Sequence, residues 1–154
     1  GYDGVPGKLR NAAPISMTIP GGAGAMRSDA DHLARRDAAL FGGKVLKPAS
    51  FNAMTAPGKL GDGRTSGTAM AKKEGASPGE YGYGLFLSDY EGHRKISHGG
   101  GIFGFNSSLS EFPEDRITVA VIANSIGKDL GARRVAERIE RIALELPAKP
   151  AAKK

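Results

Sequence analysis

The pattern of apolar and polar positions is helical in the first third of the chain. A spacing of i, i+7 and i+8 places three large apolar side chains on one helical face: Leu33, Leu40 and Phe41. Ser28 opens this helix as a capping residue, and Gly42-Gly43 ends it. A second, shorter helix is predicted from Pro48, because proline suits a first helical turn. The residues before Ser28 are rich in Gly, Pro and Ala, and predict only a short extended piece at 15–19.

From residue 81 onward the pattern favours β-strands. Residues 81–88 alternate in strand-like fashion, and 89–92 read as a turn. Further strands are predicted at 93–97, 105–112 and 117–123, joined by turns. The strand 117–123 is β-branched and almost wholly apolar, which predicts a central strand buried on both faces.

The last predicted element is a helix over residues 129–146 that ends before Pro147. One apolar stripe runs along it at i, i+4, i+7 and i+11: Val135, Ile139, Ile142 and Leu146. Such a helix is expected to pack with this stripe on the sheet. The predicted fold class is therefore α+β, an antiparallel β-sheet packed by helices. Residues 1–146 are predicted to form one domain portion, and 147–154 a Pro/Ala/Lys tail.

Residues 58–80 are glycine-rich and polar, with no clear period. A loop of this length inside a compact domain is uncommon and indicates either function or mobility. No metal-ligand spacing connects His32, His93 and His98, so neither a metal nor a cofactor is expected. The absence of cysteine excludes thiolate metal sites and a cysteine nucleophile.

The 154 residues carry a net charge of +6, which raises the question of anionic partners. The basic residues are scattered among acidic ones and no aromatic–basic stripe accompanies them, so nucleic-acid binding ranks last among the hypotheses. No apolar run is long enough to predict a membrane span. The chain begins with Gly1 rather than Met and resembles the middle of a longer protein. A periplasmic, secreted or cytoplasmic location therefore stays open.

The stretch with the most chemical content is His98-Gly99-Gly100-Gly101, which lies between two predicted strands. The glycines are expected where a strand ends or bulges, and they let the backbone approach a ligand with its N–H groups exposed. A histidine beside such a backbone donates, accepts or carries a proton near neutral pH. This combination indicates the edge of an active site.

Four segments together resemble a known family: residues 22–34, 96–105, 112–115 and 119–125. In order and spacing they are similar to the C-terminal part of class C β-lactamase-like serine hydrolases. That group includes penicillin-binding proteins, D-alanyl-D-alanine carboxypeptidases, D-aminopeptidases and related esterases. The resemblance runs from about residue 2 to residue 146. It implies the C-terminal part of the serine β-lactamase/penicillin-binding-protein fold.

The family uses three motifs: S-x-x-K with the nucleophilic serine and a lysine, Y-x-N or S-x-N, and a K-T-G-like triplet on a strand. His98-Gly99-Gly100 matches the third in its histidine-containing form. The resemblance implies that His98 is catalytic and that Gly99 and Gly100 bind substrate. It also implies that Gly101 offers its N–H to the oxyanion, which is where such a donor acts in a transition state.

Two other segments match family patterns in the wrong context. Ser125-Ile126-Gly127-Lys128 fits S-x-x-K, but it comes after the third motif, and a glycine disfavours the helical turn that the motif needs. Ser50-Phe51-Asn52 fits S-x-N, but it lies in the first turn of a predicted short helix. Neither is taken as functional. The nucleophile is therefore expected upstream, in the missing N-terminal half of the same protein.

The leading hypothesis is a fragment of a serine hydrolase that performs acyl transfer on an amide, ester or β-lactam carbonyl of a small-molecule or peptide substrate. By itself this chain is expected to be inactive. An open sheet edge is expected where the missing half belongs, and such an edge allows self-association. The alternative is a non-catalytic module that binds a ligand or partner, in which His98 is an ordinary histidine at a strand end.

Overall fold

The computed structural model of the chain describes residues 1–67, 80–127 and 131–147. Most of the predicted 58–80 loop and most of the tail fall outside the described residues. The strands are β1 (Tyr2–Val5), β2 (Lys8–Asn11), β3 (Glu80–Tyr81), β4 (Phe86–Tyr90), β5 (His93–Ile102), β6 (Phe105–Phe112), β7 (Ile117–Ala123) and β8 (Ser125–Ile126). The α-helices are α1 (Ala30–Phe41), α2 (Pro48–Met54) and α3 (Ala132–Ala143), and a 3-10 turn spans Gly21–Ala23.

The strands form two sheets. One has five strands in the order β3-β4-β5-β6-β7, and the other has three in the order β2-β1-β8. The predicted α+β class with an antiparallel sheet is confirmed. In the smaller sheet β1 pairs with β2 antiparallel and with β8 in parallel. The β1–β2 hairpin was not predicted, because its glycine-rich sequence carries no strand period.

The described residues divide into two compact units. The first comprises Gly1–Asp31, Gly99–Leu109 and the described residues of Val119–Lys154. The second comprises His32–His98 and Ser110–Thr118. The single-domain prediction for 1–146 stays a prediction.

In the first unit, helix α3 presents a different face from the predicted one. It buries Ala132, Ala136, Glu140 and Arg141, whereas the apolar stripe is exposed, with exposed fractions of 48% for Val135, 42% for Ile139 and 77% for Ile142. The stripe prediction was wrong for a local reason. The backbone N–H of Ala132 donates to Asn106 Oδ1 on β6, and this bond holds the small alanine face of α3 inward.

In the second unit, α1 and α2 contact each other through two aromatic rings. Phe41 and Phe51 are perpendicular, with centroids 5.4 Å apart. Leu40, Ile96 and Phe112 are buried, so they form the core of this unit. Helix α1 ends as predicted, since the Gly42 N–H donates to the Ala38 carbonyl over 2.8 Å. The predicted capping role of Ser28 is wrong, because α1 begins at Ala30 and the Ser28 hydroxyl donates to the Asp29 carbonyl.

The predicted strand 81–88 is interrupted. β3 ends at Tyr81 and β4 begins at Phe86, because the N–H of Gly82 donates to the Leu85 carbonyl and Gly84 has a φ of +74°. A φ in that region favours glycine and turns the chain. The glycines after His98, by contrast, neither end nor bulge their strand: β5 runs through them to Ile102.

Strand β7 matches its predicted bounds but not its predicted position. It is the last strand in the order of its sheet as far as the structure describes the chain. Val119 is buried, whereas Ile122 is 40% exposed. An apolar β-branched sequence indicates two covered faces, but sheet position is decided by which strands are present to pair with it.

Candidate functional site

His98 lies on β5, one residue beyond the last pair of the β4–β5 hairpin. That hairpin pairs Tyr90 with His93 at the turn and Phe86 with Ser97 at the far end. Glu91 and Gly92 have φ values of +55° and +90°, and a two-residue hairpin turn of type I′ needs a positive φ at both central positions. His98 is therefore the first residue of β5 beyond the paired part of the hairpin, and it is exposed.

The imidazole of His98 is held by two aromatic side chains. Tyr81 Oη lies 3.1 Å from His98 Nε2, a hydrogen-bond distance. Phe86 stacks on the imidazole with centroids 5.5 Å apart and planes 24° apart. Phe86 also meets the Tyr81 ring edge-on, with centroids 4.7 Å apart. We call these three side chains, Tyr81, Phe86 and His98, the aromatic cluster.

Tyr81 is fixed through its backbone. Its N–H donates to Ser66 Oγ over 3.0 Å, and the Ser66 hydroxyl donates back to the Tyr81 carbonyl over 2.6 Å. The Gly58 N–H donates to the same carbonyl over 2.8 Å. The neighbouring Glu80 carboxylate accepts from Thr65 Oγ1 over 2.7 Å. The short strand β3 is therefore tied to the segment before it, and the Tyr81 ring is placed by that segment.

The three glycines after His98 are exposed and none has a positive φ. An added Cβ on Gly100 would lie 2.6 Å from Ser107 Oγ, so the Ser107 hydroxyl would have to rotate away. A Cβ on Gly99 would make ordinary contact, 3.4 Å from the Ser107 carbonyl oxygen. A Cβ on Gly101 would meet nothing within 4 Å, so packing does not explain that glycine. Open space above the backbone is what a ligand needs in order to approach Gly101.

The two family-like patterns that sequence analysis rejected are not helical motifs with a serine and lysine together. Ser125 and Ile126 form β8, and Gly127 has a φ of +142°, outside the helical region. Lys128 lies outside the described residues. Ser50 lies inside α2. Within the described residues, His98 forms no hydrogen bond to a serine or lysine side chain, and Tyr81 is its side-chain partner.

A second polar cluster, which sequence analysis did not find, lies in the second unit. Asp37 and Glu111 are buried, at 4% and 5% exposure. Burial raises the pKa of Asp37 to about 6, and the Glu111 carboxylate adds to the rise while Arg36 opposes it. Burial also raises the pKa of Glu111, against a hydrogen bond from Thr118. Glu111 lines a cavity of about 320 Å³ beside α1.

His93 and Asp115 form a hydrogen-bonded pair within the same unit. His93 Nδ1 lies 3.0 Å from both carboxylate oxygens of Asp115, and both side chains are about a quarter exposed. The pair connects the start of β5 to the turn between β6 and β7. No group of three or more histidine, cysteine or acidic side chains in the described ranges has the geometry of a metal site.

The family model described as Beta-lactamase matches residues 1–144. The chain belongs to the beta-lactamase family. A comparison with curated proteins gives no match. None of the helices in 1–67, 80–127 and 131–147 has the length and apolar character of a membrane span.

Among solved structures, the chain resembles the octameric penicillin-binding protein homologue from Pyrococcus abyssi. The TM-score is 0.62 and the identity 20%, over 77% of this chain. At this identity the likeness shows the fold alone, and that fold agrees with the beta-lactamase family. The chain covers 25% of the length of that homologue.

Sequence reasoning located His98 but missed its surroundings. Phe86 was not readable from the hairpin register, which pairs it with Ser97 rather than with His98. Tyr81 was not readable either, because its place depends on the interruption of the strand at Gly82 and on the bonds from Ser66. Asp37 and Glu111 carry no sequence signal, since they are 74 positions apart in the chain and meet only in the fold.

Proposed function

We propose that the chain is the C-terminal part of a serine hydrolase that performs acyl transfer on an amide, ester or β-lactam carbonyl. The nucleophilic serine and its lysine belong to an N-terminal half that lies outside these 154 residues. The observation that carries the proposal is the exposed His98 of a beta-lactamase-family chain, whose ring is fixed by Tyr81 and Phe86 and is followed by an uncovered glycine.

In this proposal His98 and Gly101 have separate roles. The serine oxygen attacks the carbonyl carbon, and the carbonyl oxygen takes up negative charge. The Gly101 N–H stabilises that charge, which is the interaction that strengthens most between ground state and transition state. His98 hydrogen-bonds the substrate, while Gly99 and Gly100 leave room for the substrate along the strand.

Two features support a partner surface for the N-terminal half. The first is the edge position of β7, whose sequence is that of a strand covered on both faces. The second is the exposed aliphatic stripe on α3. Exposed patches of this kind mark interaction sites in soluble proteins. The same surfaces allow self-association, and the penicillin-binding protein homologue with this fold is octameric.

The test is labelling with a serine-directed fluorophosphonate. We expect the natural protein that carries this chain to be labelled on a serine upstream of Gly1, and the 154-residue chain alone to remain unlabelled. The Gly101→Ala variant is expected to keep its fold, since its Cβ meets open space. It also keeps the backbone N–H, so we expect its labelling rate to fall only as far as the added methyl group crowds the carbonyl that approaches that N–H. Stoichiometric labelling of Ser125 in the isolated chain contradicts the proposal.

One observation favours a second function, a non-catalytic binding module. His98 has a hydrogen-bond partner in Tyr81 and an aromatic neighbour in Phe86, which is also how an ordinary structural histidine is satisfied. Intact-mass measurement of the natural protein separates the two functions. A natural polypeptide that begins at Gly1 leaves no place for the serine and establishes the module.

A further inference from the structure

We propose that Tyr81 is a positioning residue that holds neutral His98 in the Nδ1–H tautomer, so that the site presents an N–H donor to an acceptor oxygen of the substrate. The inference rests on the proposed function for its chemistry and on the aromatic cluster for its geometry. It adds a residue that the family-like motif His98-Gly99-Gly100 does not contain.

The direction of the Tyr81–His98 hydrogen bond follows from acid–base strength. One proton lies on the 3.1 Å line between Tyr81 Oη and His98 Nε2. The phenol carries an O–H donor, and the unprotonated imidazole nitrogen is a far better acceptor than a phenolic oxygen. Tyr81 therefore donates and Nε2 accepts. Since neutral imidazole carries a single N–H, that hydrogen is on Nδ1.

The neighbouring side chains hold the His98 imidazole in one orientation. Phe86 stacks on the His98 ring, and Phe86 also lies edge-on against Tyr81. A 180° flip of the imidazole would keep the ring against Phe86 but would put Cε1 in the place of Nε2, so the Tyr81 bond would be lost. The backbone that carries Tyr81 is itself fixed, because Ser66 bonds to both the N–H and the carbonyl of Tyr81.

The available nitrogen defines what the site recognises. His98 is exposed, and within the described residues its side chain has no second hydrogen-bond partner. A neutral Nδ1–H pairs with an acceptor such as a carbonyl or carboxylate oxygen, and not with a substrate N–H or O–H donor. The tautomer therefore selects the substrate group that faces His98, without any charge on the ring.

The experiment is two-bond ¹H–¹⁵N correlation spectroscopy of the ¹⁵N-histidine-labelled natural protein at pH 8, with the His98 signals assigned by their loss in His98→Gln. We expect the wild-type pattern to be that of the Nδ1–H tautomer. Tyr81→Phe is expected to move it toward the Nε2–H tautomer, which free histidine prefers. Tyr83→Phe is the matched control, because Tyr83 is 78% exposed two residues away and is expected to leave the pattern unchanged.

If the wild-type protein shows the Nε2–H pattern, the inference is wrong. This measurement needs no variant, so the test does not depend on whether Tyr81→Phe folds. An Nδ1–H pattern that persists in a folded Tyr81→Phe, judged by unchanged His93 signals, overturns it as well. The same samples give a rate of fluorophosphonate labelling, which we expect to fall about tenfold in Tyr81→Phe and to stay within about twofold in Tyr83→Phe. If the wild-type protein is never labelled, the proposed serine-hydrolase function is wrong, whereas the tautomer measurement is unaffected.

Discussion

Thr118 Oγ1 donates a hydrogen bond of 2.5 Å to Glu111 Oε2 across the turn between β6 and β7. This bond compensates one oxygen of a buried carboxylate, and no hydrogen bond of this kind is seen for Asp37 within the described residues. The two buried carboxyl groups raise the cost of ionising each other, and in the described part of the chain only Glu111 has a hydrogen bond that offsets this cost. An ionised Asp37 is therefore destabilising, because the buried carboxylate lacks the stabilisation that water would give it.

Asp37→Asn is expected to stabilise the protein above pH 6. The pKa of Asp37 is about 6 in the fold against 3.8 as its ordinary value. The folded state therefore binds the proton more tightly than the unfolded state, so this stability is fully present below pH 3.8, falls as pH rises from there through about 6, and is constant at higher pH. The variant removes this loss, so its gain is near zero at pH 4 and reaches up to about 3 kcal/mol at pH 8.

Urea unfolding of wild type and Asp37→Asn at pH 4, 6 and 8 measures this gain. Glu114→Gln is the control, since Glu114 is an exposed carboxyl in the same unit. A gain that is constant with pH, or one that Glu114→Gln reproduces, contradicts the electrostatic origin.

Gly104→Ala is expected to destabilise the first unit strongly. Gly104 has a φ of +80°, and an added Cβ would lie 2.7 Å from the Ala12 side chain and 2.7 Å from the Gly1 backbone. Backbone strain and overpacking together are expected to cost at least about 2 kcal/mol of unfolding free energy. Gly101→Ala, with an ordinary φ and open space, is expected to stay within about 1 kcal/mol of wild type. Equal midpoints for the two variants in urea would show that the contact around Gly104 is absent.

Asp115→Asn is expected to lower stability by up to about 1 kcal/mol, with a smaller effect at high salt. The Asp115 carboxylate accepts from His93 Nδ1 at 3.0 Å, and partly exposed pairs of this kind contribute little and are screened by ions. Thermal unfolding in about 0.05 M and 1 M NaCl checks both the size and the screening. Arg10→Gln, which removes the exposed ion pair with Asp3, provides a reference. A loss in Asp115→Asn that does not change with salt assigns the effect to hydrogen bonding alone.

Ile142→Lys is expected to act differently in the isolated chain and in the natural protein. In the isolated chain Ile142 is 77% exposed, so the charge is tolerated and should reduce self-association in analytical ultracentrifugation. If the N-terminal half covers the stripe, the same variant is expected to cost about 1–3 kcal/mol in the natural protein. Arg138→Glu, on an exposed position of the same helix outside the stripe, controls for the change in charge. A harmless Ile142→Lys in the natural protein contradicts the covered stripe.

Strand bounds could be read from sequence where the alternation is clean and the turns have obligatory residues. β6 and β7 begin and end at their predicted residues, and the turn before His93 has the positive φ values that its Glu-Gly pair permits. The beginning of α1 and the interruption after Tyr81 were not readable, because both depend on local hydrogen bonds that compete with the simple period.

The sequence alone determined the family, the mixed fold class and the place of His98 with its glycines, because these depend on residue order and on short-range backbone preferences. The tertiary structure decided which face of α3 is buried, that β7 stands at an edge, and that Tyr81 and Phe86 hold the His98 ring. Each of these depends on a partner distant in sequence: Asn106 for α3, the pairing strands for β7, and Ser66 for Tyr81. Periodicity shows which side chains share a face, but only the partner brought in by the fold decides which face is covered.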